Sequence, residues 1–317
     1  MLTRILLLLA SLFTLQSALA AEIAIGDPPG KMYNLGGYDL QMYCTGKGSP
    51  AVIIDTGLGS SSMEWLGIQH TIGKNTRTCT YDRAGYGWSD EGPGPRDAAL
   101  LASELHELLG KAAVEPPYVM VGHSFGGYVV QYFAETHTDA VAGMVLVESS
   151  HPQQVTRLKA LLESEGNNDN SQPLNESINH VMLSQSRGNP MGTPEQIGEF
   201  LNSRRKALYS QMDELKHFAE SGQQVAAERP LPEMPLIVIS RGQPVWTRAE
   251  GGKAAEIEWQ QLQQELSQLA RQGEQRIAHN SGHNVHKDQP GMVIKAINDI
   301  LAAATSDSDI NTAGLTE

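Results

Sequence analysis

The amino-acid sequence predicts an α/β fold, with a mostly parallel eight-stranded sheet, helices on both faces and a helical cap inserted after the sixth strand. Continuous apolar runs at 51–55, 118–121, 141–147 and 235–240 are typical of strands buried on both faces of a parallel sheet. Amphipathic helical patterns separate most of these runs, as in βαβ units. Residues 153–232 instead carry helical patterns with no strand between them, which indicates an insertion.

The individual elements follow from hydrophobic periodicity and from the turn residues between the runs. In the helix expected near 256–271, the spacing of Ile257, Leu262, Leu266 and Leu269 indicates the buried face. The predicted strands are 32–35, 38–44, 51–55, 76–81, 118–121, 141–147, 235–240 and 276–278, and the main helices outside the insertion are 100–113, 128–134, 256–271 and 292–304.

The chain of 317 residues divides into five predicted parts. They are a signal peptide at 1–20, a first core part at 21–152, a helical cap at 153–232, a second core part at 233–304 and a disordered tail at 305–317.

The signal peptide is read from Arg4, the apolar run 5–15 and the cleavage signal Ala18-Leu19-Ala20. An uncleaved membrane anchor is the alternative, but the run is shorter than the roughly 20 residues that span a bilayer. We expect an exported protein, periplasmic or secreted, with no stable membrane anchor after cleavage.

The composition argues against one class of partner. The formal net charge is −13, and removing residues 1–20 with Arg4 makes it −13 − 1 = −14. Because such a surface repels phosphate backbones, we expect no nucleic-acid partner.

The sequence contains two cysteines, Cys44 and Cys79, each in a predicted strand. An even count in an oxidising compartment favours a disulfide. Two buried free thiols remain the alternative.

A candidate nucleophile follows the fifth predicted strand. Gly122-His123-Ser124-Phe125-Gly126-Gly127 places Gly-x-Ser-x-Gly between a strand and a helix, the context of a nucleophile elbow. The alternative is a glycine-rich structural turn. In the elbow, Ser124 lies above the sheet edge at the N-terminus of the next helix, where backbone N–H groups stabilise negative charge.

An activated serine requires a base and an acid that orients the base, and an elbow predicts the chain order serine, acid, histidine. His283 in Ser281-Gly282-His283 is the predicted base, with His286 and His279 as competitors. Glu148, at the end of the sixth strand, is the predicted acid, because the loop after the seventh strand begins without a carboxylate. Glu250 and Glu256 are alternatives if loop 241–256 folds back.

The same chemistry requires donors for an oxyanion. The backbone N–H groups of Phe125 and Leu58 are predicted to form the oxyanion hole. Although His283 and His286 lie close in sequence, no third ligand falls at metal-site spacing, so we expect neither a metal nor an organic cofactor.

Together these motifs resemble the α/β-hydrolase superfamily, in its exported serine esterase and lipase-like branch. The elbow, the stretch Tyr81-Asp82-Arg83-Ala84-Gly85-Tyr86-Gly87-Trp88-Ser89 and the Ser281-Gly282-His283 loop carry the resemblance, which covers nearly all of the chain after residue 20. The resemblance implies the α/β-hydrolase fold and neighbouring second and fourth strands, which supports the Cys44–Cys79 disulfide. It also implies that an acid after the sixth strand, here Glu148, is an accepted variant of the family.

The resemblance implies acyl-transfer hydrolysis, and we expect a carboxylic-ester hydrolase for small to medium substrates, acting through an acyl-enzyme on Ser124. Haloalkane dehalogenases and epoxide hydrolases of this superfamily use aspartate as nucleophile, so Ser124 argues against both activities. The alternatives are a peptidase or amidase similar to prolyl aminopeptidases, and a binding protein that kept the fold without turnover.

Overall fold

The computed structural model describes residues 27–163, 204–226, 231, 233–246 and 251–313. The predicted signal peptide and part of the predicted cap therefore lie outside the described residues. The described strands are β1 (Lys31–Asn34), β2 (Asp39–Thr45), β3 (Ala51–Asp55), β4 (Thr78–Tyr81), β5 (Tyr118–His123), β6 (Val141–Val147), β7 (Leu236–Arg241) and β8 (Gly273–Ala278).

All eight strands form one sheet, in the order β1-β2-β4-β3-β5-β6-β7-β8. Strand β2 pairs antiparallel with both β1 and β4, and every other neighbouring pair is parallel. Every residue of β3, β5 and β7 is buried, as their continuous apolar runs predict. The predicted α/β-hydrolase fold is thus confirmed in its sheet.

Helices cover the two faces of this sheet. After a 3₁₀ turn at Ser62–Trp65, the described helices are α1 (Leu66–Ile72), α2 (Ala98–Lys111), α3 (Gly126–Thr136), α4 (Gln154–Glu163), α5 (Arg205–Lys216), α6 (Phe218–Val225), α7 (Gly252–Ser267), α8 (Val285–Asp288) and α9 (Pro290–Ala313).

The period of two along a strand assigns each side chain to one face. In β5, Met120 packs in the cluster that contains residues of α2 and α3. Its neighbours Val119 and Val121 pack in the cluster that contains residues of α1 and α9. The parallel sheet is therefore buried between two helical layers.

Helices α4, α5 and α6 lie between β6 and β7, where the insertion is predicted. Leu158 of α4 packs with Ala255, Trp259 and Leu262 of α7. That these helices cover the active site as a cap remains a prediction. Within the described part of the chain, no helix is both long enough and apolar enough to cross a membrane.

The predicted disulfide is present. Cys44 and Cys79 are directly opposite each other on β2 and β4 and form a bridge with a Cα–Cα distance of 4.0 Å.

Two sequence predictions differ from the structure. The last helix extends to Ala313 and includes residues 305–313, which were expected to be disordered. No glycine or proline interrupts the chain between 292 and 313, so the sequence allows the helix to continue. In α7, Ile257 is 72% exposed and Leu269, beyond its end, is 45% exposed. The buried face is formed by Ala255, Trp259, Leu262 and Leu266.

Candidate active site

Ser124 occupies a sharp turn between β5, which ends at His123, and α3, which begins at Gly126. Its φ is +51°, a left-handed conformation that costs a non-glycine residue about 1–3 kcal/mol. Hydrogen bonds fix this conformation, because the Ser124 amide donates to the Val147 carbonyl (3.2 Å) and the Ser124 carbonyl accepts from the Ser150 amide (2.9 Å). The turn is the elbow that the sequence predicts.

Close backbone packing explains two glycines of the elbow. A Cβ on Gly122 would lie 2.5 Å from Cγ2 of Val130, and a Cβ on Gly126 would lie 2.5 Å from the Thr56 carbonyl oxygen. Both distances are far inside the roughly 3.5–4.0 Å of a favourable non-bonded contact. The glycines therefore allow β5, α3 and the loop after β3 to meet beneath Ser124.

The structure brings Glu148 and His283 together. Glu148 directly follows β6 with a φ of +47°, and His283 lies in the loop between β8 and α8. Nδ1 of His283 is 3.1 Å from Oε2 of the fully buried Glu148. Because an ionised carboxylate only accepts hydrogen bonds, this contact assigns the proton to Nδ1 and leaves Nε2 as the basic nitrogen.

The sequence did not indicate the residues that hold the Glu148 carboxylate. Oε1 accepts from the Arg241 amide (2.7 Å) and from Nε1 of Trp259 (3.0 Å), and Oε2 accepts from Nη1 of Arg241 (2.7 Å). Burial alone would raise the pKa of Glu148, but the charge of Arg241, the His283 contact and the Arg241 amide lower it to about 2. Glu148 is therefore ionised at neutral pH.

Glu256, one of the two alternative acids, binds Arg241 instead of His283. Glu256 bonds Nη2 of Arg241 at 2.9 Å and accepts from the amides of Val245 and Trp246. Glu250 lies outside the described residues. Loop 241–246 thus folds around Glu256, and Glu256 supports Arg241.

The competing histidines have other environments. His279 is exposed directly after β8. His286 is buried, lies 3.4 Å through Nε2 from Oε2 of Glu64 and stacks on Trp65 with ring centroids 4.5 Å apart. Neither has the contact to Glu148 that His283 has.

His123 connects the elbow to the loop of His283. Nε2 of His123 is 3.1 Å from the His283 carbonyl oxygen, and the two rings are 5.0 Å apart. Burial, together with His286 and His283, lowers the pKa of His123 well below its usual value, so its ring is neutral and Nε2–H donates. Because His123 directly precedes Ser124 in the chain, this hydrogen bond holds the backbone of His283 close to the elbow.

The structure joins the acid and the base by a hydrogen bond, but it does not join the base and the nucleophile in that way. Within the described residues, the Ser124 hydroxyl has no hydrogen-bond partner within 3.5 Å. Contacts of this kind are often long in an unliganded site and tighten when substrate binds. Ser124 and His283 are both partly exposed, so a substrate can reach them.

The two predicted oxyanion donors flank the elbow. Phe125 directly precedes α3, and Leu58 follows Gly57, where a Cβ would lie 3.3 Å from Cβ of Ser124. Neither the Phe125 amide nor the Leu58 amide has an acceptor among the described residues. Two unpaired N–H groups at these positions fit the requirements of an oxyanion hole.

In the part of the chain that the structure describes, no group of three or more histidine, cysteine, aspartate or glutamate residues is placed to hold a metal ion.

Comparison with known proteins identifies the family and the fold. Residues 50–219 match the family model described as alpha/beta hydrolase fold. The chain is 30% identical over 260 residues to the uncharacterized protein YqjL of Bacillus subtilis, covering 82% of this chain and 86% of that protein.

Solved structures show the same fold at lower identity. The enol-lactonase from Burkholderia xenovorans LB400 superposes with a TM-score of 0.60 at 18% identity, over 86% of this chain and 100% of that one. A malate-bound thermophilic esterase from Thermogutta terrifontis gives a TM-score of 0.54 at 19% identity, over 86% and 97% of the two chains. At these identities the likeness concerns the fold alone.

Proposed function

Because the chain belongs to the α/β-hydrolase family, we propose that it is a serine hydrolase that cleaves carboxylic esters of small to medium size. The observation that carries the proposal is the 3.1 Å contact between Nδ1 of His283 and the buried Glu148, next to a serine held at φ +51°. A serine, an oriented imidazole and an ionised carboxylate are the parts that nucleophilic acyl transfer requires.

In the proposed acylation step, Oγ of Ser124 attacks the ester carbonyl carbon while Nε2 of His283 takes the hydroxyl proton. Glu148, ionised and immobilised by Arg241, stabilises the imidazolium through Nδ1–H. Collapse of the tetrahedral intermediate breaks the bond to the alcohol, which leaves with the proton from Nε2. Ser124 then carries the acyl group.

In the proposed deacylation step, water attacks the acyl-enzyme while Nε2 of His283 takes a proton from the attacking water. The second tetrahedral intermediate releases the carboxylic acid, and the proton returns to Oγ of Ser124. In both steps, the amides of Phe125 and Leu58 would donate to the negatively charged oxygen, a contribution typically worth 10²–10³-fold in kcat for one such donor.

The identity of the nucleophile separates ester cleavage from epoxide opening on this fold. The attacking group at the elbow is a hydroxyl, whereas the epoxide hydrolases and dehalogenases of the superfamily use a carboxylate. An acyl group is the electrophile that suits a serine hydroxyl.

Export completes the proposal. The Cys44–Cys79 disulfide is compatible with an oxidising compartment, and we infer that the mature protein works in the periplasm or outside the cell.

A substrate panel tests the reaction class. The mature protein would be assayed with 4-nitrophenyl esters of two to twelve carbons and with proline 4-nitroanilide, with Ser124→Ala as control. Ester turnover that is lost in Ser124→Ala supports the proposal. Faster cleavage of the anilide would indicate a peptidase, and no turnover of either class would favour a binding protein.

A further inference from the structure

Arg83 uses all of its donors on four buried acceptor groups beside the elbow. The residue is 2% exposed and follows β4 in the chain. A guanidinium has five N–H donors, and five contacts are present. They are Nη1 to Asp55 Oδ1 (2.6 Å), Nη1 to the Thr56 carbonyl (2.6 Å), Nη2 to the Gly57 carbonyl (3.0 Å), Nε to Glu214 Oε1 (2.9 Å) and Nη2 to Glu214 Oε2 (3.0 Å).

These contacts hold the loop that carries Leu58. Arg83 binds the carbonyl groups of Thr56 and Gly57 on one side of Leu58, and on the other side the Gly59 amide donates to the hydroxyl of Tyr86 (3.3 Å). The Leu58 amide between them has no acceptor among the described residues. The loop is therefore fixed at three backbone groups, which determines where the free N–H points.

Both holding side chains depend on one carboxylate from the insertion. Glu214 of α5 accepts from Nε and Nη2 of Arg83, and its Oε2 also accepts from the hydroxyl of Tyr86 (2.9 Å). Glu214 is fully buried. A buried carboxylate in such a network orients its partners, because leaving any of these groups unpaired costs about 1–3 kcal/mol or more.

We propose that Glu214 is a positioning residue for the oxyanion hole, so that helix α5 of the insertion influences the catalytic rate. The inference rests on the proposed ester hydrolysis. Glu214 orients Arg83 and Tyr86, these orient the loop 56–59, and the loop aims the Leu58 amide at the oxygen that becomes negative in the transition state.

Glu214→Gln replaces an acceptor oxygen by an NH₂ group that faces donors of Arg83 or Tyr86. Nε of Arg83 loses its acceptor if the NH₂ group replaces Oε1, and both Nη2 of Arg83 and the Tyr86 hydroxyl lose theirs if it replaces Oε2. The loop then shifts to pair these donors. A displacement of about 1 Å in a catalytic group costs on the order of 10²-fold in rate. The Leu58 amide stabilises the oxyanion more than it stabilises the bound ester, so we expect the substitution to lower kcat more than it changes KM.

The test compares kcat and KM for 4-nitrophenyl acetate in the full mature chain and three variants. We expect kcat to fall about 10- to 100-fold in Glu214→Gln and to fall less in Tyr86→Phe, which removes one hydroxyl. KM should change less than about threefold in both. Asp213→Asn is the matched control, because Asp213 also attaches α5 to the core, through the Arg96 amide (2.9 Å), without contacting the loop 56–59.

The affinity for a boronic acid tests this role separately, because a boronic acid forms a tetrahedral adduct on a serine. A purely structural role of Glu214 would leave this affinity unchanged. The inhibition constant should rise in Glu214→Gln by about the factor by which kcat falls, while inhibition by acetate stays unchanged. An unchanged kcat in folded Glu214→Gln, or an equal loss in Asp213→Asn, would overturn this inference alone. Absence of Ser124-dependent turnover in the wild type would overturn the proposed function and this inference with it.

Discussion

Arg241→Met tests how the structure keeps Glu148 ionised. The substitution removes the Nη1 contact to Oε2 and retains a side chain of similar length, so the acid remains buried with one cation fewer. The ordinary pKa of Glu148 is 4.5 and its value in the protein is about 2. The difference between these values corresponds to about 3 kcal/mol of favourable interaction with the ionised form, at about 1.4 kcal/mol per pH unit.

Two effects follow from this magnitude. The free energy of unfolding at pH 7 should fall by about 3–5 kcal/mol, the usual cost of removing one partner of a buried ion pair. The pKa of Glu148 should rise, so that protonation of the carboxylate on acidification weakens the orientation of His283. The ratio of variant to wild-type kcat/KM should therefore decrease from pH 7 to pH 5.

Urea denaturation at pH 7 measures the first effect, and kcat/KM for a 4-nitrophenyl ester at intervals from pH 5 to pH 8 measures the second. Arg276→Met is the matched control, because Arg276 pairs with Glu274 and Asp299 near the surface, where an ion pair contributes about 0–1 kcal/mol. If Arg241→Met lost no more free energy of unfolding than the control, and its kcat/KM relative to wild type did not change with pH, Arg241 would not be what keeps Glu148 ionised.

Three further predictions concern stability. Replacing Cys44 and Cys79 together by alanine should lower the free energy of unfolding by about 4 kcal/mol, the chain-entropy value for a separation of 35 residues, as measured by urea denaturation. Gly122→Ala should destabilise the fold by about 1–3 kcal/mol through the clash described above, whereas Gly110→Ala, with nothing within 4 Å of the added Cβ, should stabilise it by about 0.5–1 kcal/mol in thermal unfolding. Burial raises the pKa of Glu64, but His286 and Lys287 outweigh this effect and lower the pKa from 4.5 to about 2. The ionised Glu64 therefore contributes fully to the free energy of unfolding above about pH 4.5, and this contribution is lost as the pH falls towards 2. The pH dependence of stability in Glu64→Gln should lack this loss.

Each of these predictions has a result that would contradict it. An equal free energy of unfolding for the wild type and the double alanine variant would show that the disulfide constrains the unfolded chain little. Equal melting temperatures for Gly122→Ala and Gly110→Ala would mean that the elbow tolerates a Cβ. If the free energy of unfolding of Glu64→Gln fell between pH 4.5 and 2 as steeply as that of the wild type, the loss of stability in acid would come from other carboxylates.

Local patterns predicted the sheet because a strand that is buried on both faces requires a continuous run of apolar residues. The runs 51–55 and 141–147 coincide with β3 and β6, and the strand-to-helix position of Ser124 followed from its neighbours. The contact of Glu148 with His283 was predicted from chain order, since parallel strands place their carboxyl ends at one edge.

Features that depend on tertiary contacts were not predicted. The 3₁₀ turn at Ser62–Trp65 and helix α1 have no strong helical period, and a capping box formed by Ser61 and Glu64 begins them. In α7, the apolar spacing selected Ile257, but the buried residue is Trp259, which packs with Leu158 and donates through Nε1 to Glu148. Arg241 carried no signal, because its role depends on a carboxylate 93 residues earlier.

The proposed ester hydrolysis depends most directly on an activated Ser124. The mature protein and the variants Ser124→Ala, Glu148→Gln and His283→Ala would be treated with a fluorophosphonate probe, and the labelled residue would be mapped by mass spectrometry. We expect labelling at Ser124 that disappears in Ser124→Ala and slows by more than about tenfold in the other two variants. No labelling of the folded wild type, or wild-type rates in Glu148→Gln and His283→Ala, would contradict it.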